Sequence, residues 1–95
     1  MDLRNYHVFQ VSSYRGPTKV TLVTYNPLIS NVETMCAAEG IKFSVSKDGK
    51  DQKVIIHVEK SRLETKRDNA TIDEREALER ILAHAELLER KQKIA

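Results

Sequence analysis

The residues able to do chemistry are few, and the chain does not bring them together by spacing. Cys36 is the one cysteine, and His7, His57 and His84 are the only histidines. A cysteine nucleophile needs a base or a cation beside it to hold it as thiolate. Cys36 instead falls with Val32 and Met35 on the apolar side of a short helical pattern, with no histidine nearby in sequence, and reads as a small core residue. The histidines stand singly, without the paired spacing of a zinc helix or a Cys-x-x-Cys knuckle. His57-Val58-Glu59 carries half of the pattern that zinc-dependent base deamination requires, and the Pro-Cys-x-x-Cys half is missing. Gly16, Gly40 and Gly49 are isolated, so no glycine-rich loop can cradle a phosphate. Asp73, Glu74, Glu76 and Glu79 read as first-turn and solvated-face charges of a helix, not as a metal or acid–base site. The expectation is a non-enzyme with no catalytic residue, no metal and no cofactor.

Charge narrows the partners. The net charge is +2, with six Lys or Arg against four Asp or Glu in residues 1–50 and ten of each sign in residues 51–95. A protein that lives on phosphate contacts carries a basic excess, because each contact replaces a counterion with Lys or Arg. Nucleic-acid binding is therefore weak or local if present. The first residues, Met1 to His7, carry both signs of charge with no apolar run behind them, and no stretch approaches the ~20 apolar residues of a membrane helix. With no internal disulfide available to a lone cysteine, the expected compartment is the cytoplasm, with no membrane contact.

Residues 6–12 and 18–25 are rich in β-branched and aromatic types and are separated by Ser13-Tyr14-Arg15-Gly16-Pro17, the pattern of a hairpin. Ser30-Asn31-Val32-Glu33 has the form of a capping box, and Gly40 stands where a left-handed residue closes a helix. Ile41 to Ser46 alternates apolar and polar, and Asp48-Gly49 supplies a two-residue turn. Counting out from that turn pairs Phe43 with Val54 and Ile41 with Ile56, and sets Lys47 against Lys50. Residues 59–69 hold one apolar side chain, Leu63, and read as a charged strand extension or linker. Residues 71–93 then form the longest helix, opened by Thr71-Ile72-Asp73-Glu74 and striped by Leu78, Ile81, Ala85 and Leu88. Glu76 with Arg80, Glu86 with Arg90 and Glu89 with Lys93 are spaced as surface ion pairs along it.

Ninety-five residues suit one α+β domain, residues 1–95, and a chain of this size buries roughly two-thirds of its unfolded surface. The element order ββαββα predicts a two-layer sandwich, a four-stranded antiparallel-rich sheet with two helices on one face. Two strand orders satisfy it, 1-2-4-3 and 1-2-3-4. The first is favoured, because Val54-Ile55-Ile56-His57-Val58 is apolar on both faces as a central strand should be. That order resembles a circularly permuted ferredoxin-like plait.

Such a sheet leaves one face without helices. Val23, Tyr25, Lys42, Lys53, Ile55 and His57 fall on it, an apolar centre rimmed by lysines of the kind found at binding or self-association surfaces. The plainer alternative is a scatter of exposed apolar side chains with no role. Leu87, Leu88 and Ile94, on the distal part of the last helix, offer a second contact. The expected function is that of a small regulatory or accessory protein acting by protein–protein binding or as a homodimer. The alternative is a small nucleic-acid-binding module that uses the same face, Tyr25 and, if its strand turns that way, Tyr6, beside a strip of Lys42, Lys53, Lys60 and Arg62.

Overall fold

The computed structural model describes residues 1–13 and 16–94, the side chains of Lys93 and Ile94 excepted. Four strands, β1 (His7–Ser12), β2 (Lys19–Tyr25), β3 (Phe43–Asp48) and β4 (Asp51–Glu59), form an antiparallel sheet in the order β1-β2-β4-β3. Helix α1 (Ile29–Glu39) joins β2 to β3, and α2 (Lys60–Asp68) and α3 (Ile72–Ile94) follow β4. The element order is thus ββαββαα. β2 and β4 lie at the centre because each has apolar residues to bury: Val20 and Leu22 on one, Val54, Ile56 and Val58 on the other, all at most 2% exposed.

These residues share one face and one cluster with Val32 and Cys36 of α1, Leu63 of α2, and Leu78, Ile81, Leu82 and Ala85 of α3. Every helix therefore delivers its buried side chains to the same side of the sheet. Leu3 and Tyr6 close the cluster at one end. Their segment is tied down by Thr24, whose hydroxyl donates to the Asn5 carbonyl at 2.9 Å, and by Arg80, which donates to the carbonyls of Arg4 (3.3 Å) and Tyr6 (2.9 Å).

Residues 60–68 are a helix and not a linker. Lys, Arg, Glu and Leu all favour helix, and the lone apolar residue Leu63 is fully buried in the core. The flanking charges find partners on other elements: Lys66 meets Glu39 at 2.7 Å, Arg62 donates to the Glu39 carbonyl, and Lys60 reaches Glu89 at 3.3 Å and Glu86 at 3.8 Å. Glu89 also accepts from the Thr18 hydroxyl at 2.8 Å, so α2, α3 and the residue just ahead of β2 are fastened at one point. Arg80, Glu86 and Glu89, expected to serve pairs along the last helix, thus make contacts to other elements; the Lys93 side chain lies outside the described residues.

Two local readings shift. α1 starts at Ile29 with Leu28 as its cap, whose carbonyl takes the Asn31 and Val32 N–H groups at 3.0 and 3.3 Å, so Ser30 lies inside the first turn. The earlier start places Ile29 against the core beside Val32 and Cys36. Gly40 closes the helix at φ +65°, with the Gly40 N–H on the Ala37 carbonyl and the Ile41 N–H on that of Cys36, the paired bonds of a left-handed cap. In the second hairpin the turn is Gly49-Lys50, Asp48 faces Asp51, and Phe43 pairs with Ile56 and Val45 with Val54. Moving the turn by one residue shifts the pairing by two, which preserves every face and removes the Lys47–Lys50 clash.

Candidate functional site

The helix-free face is built by strand parity. Leu22 and Ile56 point to the core, so Thr21, Val23 and Tyr25 of β2 and Lys53, Ile55 and His57 of β4 point away from it. Val23 lies opposite Ile55, Tyr25 opposite Lys53, and Thr21 opposite His57, whose Nδ1 is 3.0 Å from the Thr21 hydroxyl. His57 is exposed, Ile55 and Lys53 are half-buried, Tyr25 is 47% exposed, and Lys42 is exposed just ahead of β3. Val23 is only 4% exposed although it lies outside the core cluster.

Phe9 shares this face, and sequence reasoning missed it. The β1–β2 register slips between Val8 and Gln10, a bulge that lets Val8 and Val11 both face the core while Phe9 goes to the other side, 60% exposed. The Lys53 ammonium sits 5.0 Å from the centre of the Phe9 ring. Phe9 belongs to β1 and Lys53 to β4, so the pair reaches across β2, the strand that carries Val23. The signal was present in the sequence: two valines three residues apart cannot share one face of a regular strand. Tyr6 precedes β1 and is buried at 6%, so among the described residues the aromatic side chains of this face are Phe9 and Tyr25.

The presumed basic strip does not gather there. Lys60 and Arg62 are on α2, engaged with Glu86, Glu89 and Glu39. On the face itself Lys19 stands opposite Glu59, and Lys53 shares its strand face with Asp51. On the last helix Leu87 is 48% exposed, Leu88 packs against the core, and the Ile94 side chain lies outside the described residues.

A groove of about 630 Å³ opens between the first residues, the β2–α1 connection and α1, lined among others by Tyr6, Thr24, Tyr25, Asn31, Met35 and Glu39, so that Tyr25 borders both it and the open face. Two of its carboxylates are engaged: Asp2 is held by Arg4 at 2.8 Å, which lowers its pKa, and Glu39 by Lys66, while Glu74 also lines it. Burial pushes the Tyr6 phenol up, and also the thiol of Cys36, which is 2% exposed. No histidine or cysteine lines this groove among the described residues, and no group of His, Cys, Asp or Glu there is placed to hold a metal ion. No described helix is long and apolar enough to cross a membrane. Comparison with family models, with curated proteins and with solved structures finds no match.

Proposed function

We propose that this chain is a non-catalytic accessory or regulatory module, cytoplasmic, that acts by protein–protein contact through the helix-free face of its sheet. We read the topology as a ferredoxin-like plait permuted so that its customary last strand comes first. The observation that carries the proposal is the pair of exposed aromatic rings, Phe9 and Tyr25, set around a buried Val23 on a face of balanced charge. Aromatic rings at the surface around a small apolar centre are what protein interfaces enrich, whereas a phosphate-tracking groove needs uncompensated cations. The nucleic-acid reading retains the two rings as stacking platforms but loses Lys60 and Arg62 to ion pairs.

The test is a double variant, Phe9→Ser with Tyr25→Ser, at two side chains exposed enough to change without touching the core. Affinity capture from the native cell extract should retain a partner on the parent chain and lose it on the variant, with little dependence on salt. Fluorescence anisotropy with single- and double-stranded oligonucleotides should show no binding. Salt-sensitive oligonucleotide binding abolished by the same two substitutions would overturn the proposal in favour of nucleic acid.

A further inference from the structure

The two edges of the sheet are treated differently. On β1 the outward carbonyl of Val11 accepts from Gln92 Nε2 of α3 at 2.6 Å, and the bulge at Phe9 breaks the regularity of the strand. Both devices guard an edge against pairing. β3 has neither. Its register with β4 runs without a break from Phe43 to Asp48, and it contains no proline. Gln52 directs both its N–H and its carbonyl at Asn26 on the β2 side. By alternation Asp51, Lys53 and Ile55 bond to β3, through Asp48, Ser46 and Ser44, and the N–H and carbonyl groups of Phe43, Val45 and Lys47 point outward. No hydrogen bond from another element reaches those groups among the described residues. Val45 is on the helix side yet 43% exposed, so the helical layer leaves it open and leaves room for a neighbour.

We propose that β3 pairs antiparallel with β3 of a second copy, about a two-fold axis at Val45. The inference does not depend on the open-face reading. What selects a second copy as occupant is that the strand is complementary to itself in this register. Val45 meets Val45 of the other chain, Ser44 meets Ser46, Phe43 meets Lys47, and Lys42 meets Asp48. The outward-facing residues Phe43, Val45 and Lys47 meet one another in this pairing, so each can exchange its N–H and carbonyl with the residue opposite. Lys47, the residue type that usually guards an edge, falls over an aromatic ring, and the charged residues at the ends face opposite charges. An interface of one short strand is small, so the dimer is transient and concentration-dependent.

Sedimentation across a wide concentration range is the measurement. The parent chain should pass from monomer to dimer mass. Val45→Pro removes an outward N–H that β4 does not use, and should weaken the dimer at least about tenfold while the thermal transition persists. Lys42→Asp and Asp48→Lys should each weaken it several-fold, and the two together should restore it, which only this register predicts. Val45→Cys should cross-link to a covalent dimer on mild oxidation, faster than Asp48→Cys. A chain that stays monomeric at every concentration, or a dimer that ignores both Val45→Pro and the charge exchange, would overturn the proposal.

Discussion

Truncating Leu63 to alanine asks whether residues 60–68 belong to the folded core. Leu63 is the one fully buried residue of α2, in the same cluster as Leu22, Ile56 and Leu78. The change removes three buried carbons at about 0.8 kcal/mol each, roughly 2.4 kcal/mol, and the cavity left behind raises the cost to about 3–4 kcal/mol. That is a large part of the ~5–15 kcal/mol by which a small domain is stable. For a chain of 95 residues each kcal/mol moves the midpoint by about 4–8 °C. Leu63→Ala should therefore lower Tm by more than ~12 °C, with a matching fall in the urea midpoint at unchanged slope. Circular dichroism melts and urea titrations measure both. Thr65→Ala, on the exposed side of the same helix, is the control and should stay within about 0.5 kcal/mol. If Leu63→Ala also stayed within that margin, α2 would be an appendage rather than part of the core, and the assignment of its buried face would be wrong.

Gly40→Ala should cost about 1–2 kcal/mol in urea titration through backbone strain alone, since an added Cβ at φ +65° meets nothing within 4 Å. Arg80→Ala leaves the Arg4 and Tyr6 carbonyls without their donor, and amide exchange should accelerate across residues 3–6 while the strand core stays protected. Burial raises the Tyr6 and Cys36 pKa values, so the folded chain holds both protons more tightly than the unfolded chain. Their contribution is complete below the ordinary thiol and phenol values, 9.0 and 10.0, and is lost as pH rises through and beyond them. The urea midpoint should fall in that alkaline range, and Tyr6→Phe should flatten the decline.

What was legible in the residues was whatever repeats with a short period. The alternation around Phe43, the two-sided apolar run at Val54–Val58 and the glycine at position 40 state the strand order, the central strand and the end of α1 without reference to anything distant. α2 was not legible because its single apolar side chain makes no period, and its charges are satisfied by Glu39, Glu86 and Glu89 from elsewhere in the chain. Phe9 is not legible from regular alternation, because only the bulge between Val8 and Gln10 lets Val8 and Val11 share the core face and turns Phe9 away from it. Residues 59–69 read as a strand extension or a linker would leave Lys60 and Arg62 free to join a basic strip, whereas the helix turns them toward Glu86, Glu89 and Glu39.

Face and edge are physically separable, and that separation yields a last prediction. Phe9 and Tyr25 lie on β1 and β2, while the outer edge of β3 is on the far side of β4. Side chains with no shared neighbours change stability and association additively. Phe9→Ser with Tyr25→Ser should leave the sedimentation mass of the dimer unchanged, and Val45→Pro should leave the one-to-one affinity of the open face for its partner unchanged. Pairing through β3 keeps residues opposite one another on the same side of the sheet, so the dimer presents both aromatic patches on one continuous surface. Their Tyr25 strands would be five strand spacings apart, roughly 24 Å. A partner immobilised densely enough to be bridged should then hold the parent chain longer than the Val45→Pro chain, by avidity alone. Equal residence of the two would mean that the two surfaces do not act together, while each could still be judged by its own variant.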